Sequence, residues 1–315
     1  MISRRQILAA AGLTYCGALG STLLQAASPC DAALPGLQLA SFRDLMRADP
    51  GRLFARVAKL GIRRVELAGT HGHSGKKLRQ LLDAAGIGCT SIHVEAADDA
   101  LTLAAPRAVI DLADTLGASN VVMPIFLYPE GAAAPQGPNA MEMVRAAGRG
   151  MREPDYLRNA QFLNRVGEAL AKGGKRLSYH NHNVELAPIE GGCGLEILVR
   201  ETDPDLVGFQ LDIGWIAAAG ANPVTWISRL GSRLASMHLK DVSNDLPANS
   251  DLRYRYAPWG GGRINWREVL RSAGPSMLKK SFVEIEGVNG AQAWLSLQEN
   301  LARLRLWRAG ADDEN

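Results

Sequence analysis

Short apolar runs alternate along the chain with longer amphipathic stretches, beginning after Pro35. Eight of these runs have the composition of buried strands; they cover residues 37–41, 64–67, 89–93, 120–123, 176–180, 208–212, 235–239 and 282–285. Strands that alternate with helices indicate parallel β-α-β units, and eight such units close most simply into a barrel. The pattern therefore predicts an α/β protein, a single (β/α)8 barrel domain over residues 35–310, with an open doubly wound sheet as the alternative.

The stretches between the runs repeat their apolar residues at helical spacing. We predict helices over residues 53–60, 77–85, 105–116, 156–171, 195–201 and 293–306. Gly61, Gly86 and Gly117 stand just before strands, where glycines that end helices are expected. Two long connections, 124–153 and 241–263, are rich in Gly and Pro and are predicted to be functional loops.

The first residues have the pattern of an export signal. Arg4 and Arg5 precede an apolar run over 7–24, and small residues follow at 26–28. This order is typical of a secretory signal peptide, and the paired arginines indicate the twin-arginine class. We therefore expect residues 1–27 to be removed and the mature protein to be periplasmic. An N-terminal membrane anchor or an amphipathic helix is the alternative, and no later apolar run is long enough to span a membrane.

Composition bears mainly on the partners of the protein. The chain has 315 residues, 47% of them hydrophobic and 21% charged, and a net charge of +3. No basic tract is present, so charge gives no support to nucleic-acid binding. The four cysteines lack CxxC or zinc-ribbon spacing and are interpreted as isolated thiols, with a disulfide among the three that follow the leader as the alternative. No Gly-x-Gly-x-x-Gly motif follows the first strand, which argues against a dinucleotide cofactor.

Ionisable residues concentrate at the predicted carboxyl ends of the strands, where the catalytic groups of β/α barrels lie. They are His93, His180, His182, Glu185, Asp212, His238, Lys240, Glu284 and Glu286. Carboxylates gathered in a low-dielectric barrel mouth would repel one another, and one divalent cation would offset that repulsion. Oxygen and imidazole ligands suit Mn²⁺, Zn²⁺, Co²⁺ or Mg²⁺ without choosing among them. Taken alone, Asp212 would simply cap the following helix, and His93 would be a hydrogen-bonded core histidine.

Several local strings resemble the xylose isomerase-like TIM barrels, and the resemblance covers nearly all of residues 35–310. The strings are Tyr-His-Asn-His at 179–182, Asp-Ile-Gly-Trp at 212–215, His-Leu-Lys-Asp at 238–241 and Glu-Ile-Glu at 284–286. Together they are similar to an exported branch described as sugar phosphate isomerase/epimerase. In this family two glutamates, one aspartate and one histidine from the last four strands typically hold the metal.

The resemblance implies metal ligands at Asp212, His238 and Glu284. The fourth ligand of the family is a glutamate on the fifth strand, but that strand ends here in a histidine. Glu185, slightly later in the chain, is the first choice for this position, and His180 or His182 is the alternative.

The resemblance also implies an enzyme that abstracts a proton next to a carbonyl of a small carbohydrate, as an epimerase, an isomerase, or a lyase or dehydratase of a 3-keto sugar. An imidazole, His182 by preference with His180 as the alternative, is the expected proton-transferring group, because an imidazole titrates near neutrality. Glu284 and Lys240 are the other expected catalytic groups, with Lys240 neutralising an enolate oxygen. Substrate contacts are expected from His93, His180, Trp215 and Trp259. The alternatives are an exported carbohydrate-binding protein without catalysis and an AP-site nuclease.

The export signal can be tested on the protein produced in a bacterium with a twin-arginine pathway. Mass spectrometry of the periplasmic fraction should show a new N-terminus between residues 26 and 34, because the small residues at 26–28 are the expected cleavage region. Replacing both Arg4 and Arg5 by lysine should block export, whereas Arg47→Lys, within the predicted barrel, should not. Periplasmic protein that retains Met1 would contradict the prediction.

Overall fold

The computed structural model describes residues 34–94, 106–129, 131–132, 140–249, 255–288 and 290–308. The predicted signal peptide, residues 1–27, lies outside the described residues. Eight strands of the described chain form a closed parallel barrel in the order β1-β8-β7-β6-β5-β4-β3-β2. In chain order they are β1 (Gly36–Gln38), β2 (Arg64–Ala68), β3 (Gly88–His93), β4 (Asn120–Met123), β5 (Arg176–His180), β6 (Val207–Asp212), β7 (Leu234–Leu239) and β8 (Phe282–Val283).

Helices follow the strands. Those of the described residues are α1 (Arg43–Ala48), α2 (Pro50–Lys59), α3 (Gly75–Ala85), α4 (Pro106–Leu116), α5 (Ala140–Gly150), α6 (Glu153–Lys172), α7 (Gly194–Glu201), α8 (Ile213–Ala218), α9 (Pro223–Leu230), α10 (Trp266–Leu278) and α11 (Gly290–Arg308). Short 3₁₀ turns and two small antiparallel ribbons complete the connections: Ala40–Phe42, Val184–Leu186, Gly231–Arg233, Pro188–Ile189 with Gly192–Cys193, and Asp241–Val242 with Tyr256–Ala257. None of the described helices combines the length and the apolar composition needed to cross a membrane.

The predicted (β/α)8 TIM barrel is confirmed, with differences at the edges of elements. The first strand ends at Gln38 rather than at residue 41, because the chain turns into the 3₁₀ turn Ala40–Phe42. The predicted loop 124–153 is wrong in part, since it contains α5. A Cβ at Gly148 of this helix would come within 2.1 Å of Val184 Cγ1, so this glycine permits close packing and does not mark a loop.

The barrel interior is polar on its carboxyl side. Hydrogen bonds between strands that are not neighbours must cross this interior; Glu66 of β2 bonds to His238 of β7, and His93 of β3 bonds to Gln210 of β6. Because successive side chains of a strand point to opposite faces, polar residues at every second position share the interior. The intervening apolar residues, such as Leu211 next to Gln210, are buried in the hydrophobic core.

Two irregularities in strand register precede the polar positions of β3 and β7. Val65 pairs with Cys89 but Glu66 pairs with Ser91, so Thr90 is an extra residue in β3. In the same way, Ala235 is the extra residue of β7, where Phe209 pairs with Leu234 but Gln210 pairs with Ser236. Such bulges re-aim the side chains that follow them, and here those side chains include His93 and His238.

Candidate active site

A cavity of about 870 Å³ opens at the carboxyl ends of the strands. Five of the ionisable residues that the sequence places at strand ends line it: His93, His180, His182, Glu284 and Glu286. The cavity is therefore in the part of the barrel where this fold positions its catalytic groups.

Three of the predicted metal ligands converge beside this cavity. Ligand atoms of Asp212, His238 and Glu284 all lie within 4.8 Å of one another. His238 Nδ1 is 3.2 Å from Glu284 Oε2 and 3.8 Å from Asp212 Oδ2. Two carboxylates and an imidazole at these separations form a donor set that suits a divalent cation.

The two oxygens of Asp212 have different roles. Oδ1 accepts a hydrogen bond of 2.8 Å from the backbone N–H of Trp215 and so caps α8, as the simpler interpretation of this residue expected. The backbone N–H of Asp212 itself donates to Asn181 Oδ1. Oδ2 is buried and pairs with the Lys240 ammonium at 2.9 Å, but it has no hydrogen bond of regular geometry from the described residues. A buried carboxylate oxygen whose partner is a cation suits a metal ligand, so the residues present fit the implied ion.

An ammonium group lies against the same carboxylates. Lys240 Nζ is 2.9 Å from Asp212 Oδ2 and 2.8 Å from Glu284 Oε2, and it also pairs with Glu286. Burial alone would lower the pKa of Lys240, but the three carboxylates raise it. The lysine is fully buried and cationic, and its ammonium lies 4.5 Å from the ring centre of Trp215.

The other charges of the cluster follow from the same contacts. Burial would raise the pKa of Glu284, but Lys240 and His238 hold it well below its usual range. Burial would lower the pKa of His238, but Glu284 and Glu66 raise it to about 10. Without a metal, positive charge at His238 and Lys240 thus compensates the buried carboxylates.

The sequence left Glu185, His180 and His182 as alternatives for the fourth metal ligand, and their contacts in the structure differ. His180 Nδ1 bonds to Gln210 Oε1 at 3.0 Å, which leaves Nε2 as the nitrogen 3.7 Å from Asp212 Oδ2. The first choice, Glu185, is not brought to the cluster. One of its oxygens accepts from the Tyr179 hydroxyl, and the other accepts from the backbone N–H of His182 at 3.0 Å. Glu185 therefore supports the loop after β5, and His180 is the residue of this strand that reaches the cluster.

His182 lines the cavity, but its titration differs from the expectation. Burial, reinforced by the nearby Lys240 ammonium, lowers the pKa of His182 to about 3. The expectation of titration near neutrality is therefore wrong for the metal-free protein, in which His182 is a neutral imidazole. Its Nδ1 is buried without a hydrogen-bond partner among the described residues.

The two tryptophans expected to contact substrate do not line the cavity formed by the described residues. Trp215 is buried behind the site, against His182 and Lys240. Trp259 is buried against Trp266, with their ring centres 4.9 Å apart, and its backbone N–H donates to Asn300. Trp215 thus packs against residues of the site and Trp259 packs against Trp266, so neither ring offers a sugar-stacking face to the described cavity, and contact with substrate stays a prediction.

Two buried polar residues were not singled out from the sequence. Glu66 Oε1 lies 2.6 Å from His238 Nε2 and 2.9 Å from His93 Nε2, and Gln210 Nε2 donates to Glu66 Oε2 at 2.7 Å. Gln210 Oε1 accepts from both His93 and His180. The sequence did contain a signal for Glu66, namely a carboxylate in the middle of the apolar run 64–67. A carboxylate buried in a strand needs a buried partner, so its position indicates a polar cluster inside the barrel.

Comparison with known proteins agrees with this architecture. A family model described as xylose isomerase-like TIM barrel matches residues 54–301. An inosose dehydratase from Mesomycoplasma hyopneumoniae (strain 7448) is 35% identical over 139 residues, which are 44% of this chain and 45% of that protein. The matched segments span 28% to 45% of the lengths of the curated relatives, less than half of each.

Solved structures show the same fold. A sugar phosphate isomerase/epimerase from Parabacteroides distasonis ATCC 8503 has a TM-score of 0.65 at 22% identity, covering 87% of this chain and 94% of that one. A xylose isomerase-like TIM barrel protein from Mycobacterium smegmatis, in complex with magnesium, has a TM-score of 0.58 at 16% identity, covering 87% and 96%. At these identities the likeness shows the fold alone.

The charge balance at Lys240 predicts a large effect on stability. Lys240→Met, measured by urea unfolding with EDTA present, should lower the free energy of unfolding by about 3–5 kcal/mol, because it leaves the buried Asp212 and Glu284 without their cation. Lys172→Met is the control, since its ion pair with Glu168 is exposed and should be worth less than about 1 kcal/mol. Equally small losses in both variants would contradict the prediction.

Proposed function

Because the chain belongs to the xylose isomerase-like TIM barrel family, we propose that it is a metal-dependent enzyme that acts on a carbohydrate by transferring a proton next to a carbonyl group. The observation that carries this proposal is the convergence of Asp212, His238 and Glu284 beside the cavity. A sugar isomerase or epimerase and a dehydratase or lyase of a keto sugar share this chemistry.

We propose one divalent ion per chain, held by Asp212 Oδ2, His238 Nδ1, Glu284 and His180 Nε2. The close approach of Asp212, His238 and Glu284, and their mixed oxygen and nitrogen donors, support this set. When bound, such an ion supplies a Lewis acid that polarises the oxygens of a sugar. Mn²⁺, Zn²⁺, Co²⁺ and Mg²⁺ all remain compatible with the donors, and a structural neighbour was solved with magnesium.

The side chains around the cavity provide the remaining functions. His182, a neutral imidazole beside the cavity, accepts the proton from the substrate carbon. Glu284 is the carboxylate that shares the proton transfer, from the β8 side of the cavity. Lys240, which is buried behind Glu284 and Glu286 and does not line the described cavity, stabilises negative charge on a substrate oxygen at a distance. His93 orients the substrate from β3, whereas His180 acts through the proposed ion, because its other nitrogen is engaged by Gln210.

The lining of the cavity favours an uncharged carbohydrate over a sugar phosphate. Its described residues include the carboxylates Asp44, Glu284 and Glu286, whereas Arg43 is the cation among them. Phosphate groups are usually bound by several donors or cations, and carboxylates would repel them. The inosose dehydratase relatives act, by their names, on an inosose, which supports a keto polyol as the substrate.

We also propose that the mature protein acts in the periplasm, from the signal pattern of residues 1–27.

The ligand set can be tested with metal-free protein titrated with Co²⁺ by calorimetry. Wild type should bind one ion per chain, and Asp212→Ala and His180→Ala should each weaken binding by more than about 100-fold, beyond the 10–100-fold cost of losing an indirect contact. Glu185→Gln is the matched control, because both of its oxygens are engaged away from the cluster. Full affinity in His180→Ala with loss of affinity in Glu185→Gln would reverse the assignment.

Proton transfer can be tested by solvent exchange in D₂O, with inosose, D-fructose and 3-ketoglucose as probes. Deuterium should enter the carbon beside the carbonyl, and His182→Ala should slow this entry by about 10²–10⁴-fold while retaining the metal. His73→Ala is the control, since His73 bonds to the Met46 carbonyl oxygen and does not line the cavity. Turnover without deuterium would indicate hydride transfer or hydrolysis instead. Tight binding of a probe without turnover or exchange would favour the carbohydrate-binding alternative.

A further inference from the structure

One buried carboxylate of the barrel interior is absent from the proposed ligand set. Glu66 lies in β2, fully buried, and the strands β1 and β8 separate it from β7 around the barrel. Its Oε1 is 2.6 Å from His238 Nε2, and this nitrogen is not the one that faces Asp212 and Glu284. Glu66 therefore contacts the proposed metal centre through an imidazole ring and not directly.

The partners of Glu66 hold its carboxylate in one orientation. Oε1 also lies 2.9 Å from His93 Nε2, and Oε2 accepts from Gln210 Nε2 at 2.7 Å. Gln210 is itself fixed by Ser236, whose hydroxyl oxygen accepts from the same amide group at 3.0 Å. A buried carboxylate with bonds to three strands other than its own has little freedom to move.

The geometry around Glu66 determines where the protons of the neighbouring rings lie. Its Oε1 is at hydrogen-bond distance from the Nε2 atoms of His93 and His238, and its Oε2 accepts from the Gln210 amide group. A carboxylate oxygen that contacts two ring nitrogens accepts a hydrogen bond from each, so both Nε2 atoms carry hydrogens. The nitrogen of His238 that is available to a metal is then Nδ1.

We infer that Glu66 is a positioning residue that selects the Nδ1-ligating tautomer of His238 and fixes the orientation of its ring. The inference rests on the proposed metal centre. Carboxylates that accept the second N–H of a ligating histidine also increase the basicity of its other nitrogen, and their loss typically weakens metal binding by 10–100-fold.

A second arrangement uses the same atoms differently. Ligand nitrogens of His93, His180 and His238 lie within 4.8 Å of one another and could hold a second metal ion, with Glu66 as a direct ligand. That arrangement would require His238 to give one nitrogen to each ion and to lose both ring protons. The hydrogen bonds from His93 and His238 to Glu66 account for the same geometry without this cost, so a single ion with Glu66 as an indirect partner is favoured.

The experiment compares Glu66→Gln with Ser178→Ala, both as metal-free protein titrated with Co²⁺. Ser178 is a buried polar residue of the same barrel, but it donates to Asn120 and contacts none of the histidines. Calorimetry should give one Co²⁺ per chain for wild type and Ser178→Ala with dissociation constants within about threefold, and a 10–100-fold weaker constant for Glu66→Gln. The visible absorption bands of bound Co²⁺, which report ligand geometry, should change in Glu66→Gln alone.

Three results would overturn the inference. Equal affinity and equal spectra in wild type and Glu66→Gln would show that Glu66 does not position His238. Two Co²⁺ ions in wild type and one in Glu66→Gln would make Glu66 a direct ligand. Wild type that binds no Co²⁺ would overturn the proposed metal centre itself, and the inference with it.

A measurement on wild type decides the inference even if Glu66→Gln does not fold. In protein with ¹⁵N-labelled histidine rings, Zn²⁺ should shift the Nδ1 resonance of His238 while Nε2 keeps its proton. Zn²⁺ bound at Nε2 of His238 would overturn the inference.

Discussion

Charge that is buried inside the barrel is the constraint on which the rest of the site depends. Carboxylates in a low-dielectric interior repel one another strongly unless cations lie between them. Here the Lys240 ammonium lies between Asp212 and Glu284, and the His238 ring lies between Glu284 and Glu66. Each negative group of the interior therefore has a positive or hydrogen-bonding partner supplied by another strand. Because these partners must come into contact, the polar residues of different strands lie at the same level along the barrel axis.

The architecture could be predicted because it depends on repeated local patterns. Apolar runs and amphipathic stretches gave eight strands in the correct order, and strand ends were enough to find Asp212, His238 and Glu284. Contacts across the barrel could not be predicted in this way. Glu66 is 172 positions from His238 in the chain, and no local pattern shows that the two side chains meet. Glu185 shows the converse problem. Its position shortly after the fifth strand suggested a metal ligand, but the turn at Val184–Leu186 directs its carboxylate to the Tyr179 hydroxyl.

The fifth strand separates this chain from the glutamate pattern that the resemblance implies for its family. His180 stands at the end of β5, where its imidazole faces Asp212 Oδ2. If the proposed metal centre uses this imidazole, it carries one negative charge fewer than a centre with a glutamate in that position. Lys240 then balances a smaller excess of carboxylate. This arrangement favours the proposed stabilisation of an enolate over the exchange of a proton between two opposed carboxylates.

The extra residue Ala235 in β7 makes the effect of a change in chain length depend on its position. Leu234 pairs with Phe209 and Ser236 with Gln210, so a strand without Ala235 would be regular and would still place His238 opposite Asp212. Loss of Met237, with the pairing before it kept, would instead turn His238 outward and bring Leu239 into the barrel. The site of a codon loss relative to the bulge therefore decides whether a shortened β7 keeps its chemistry, although His238 keeps its identity in both cases.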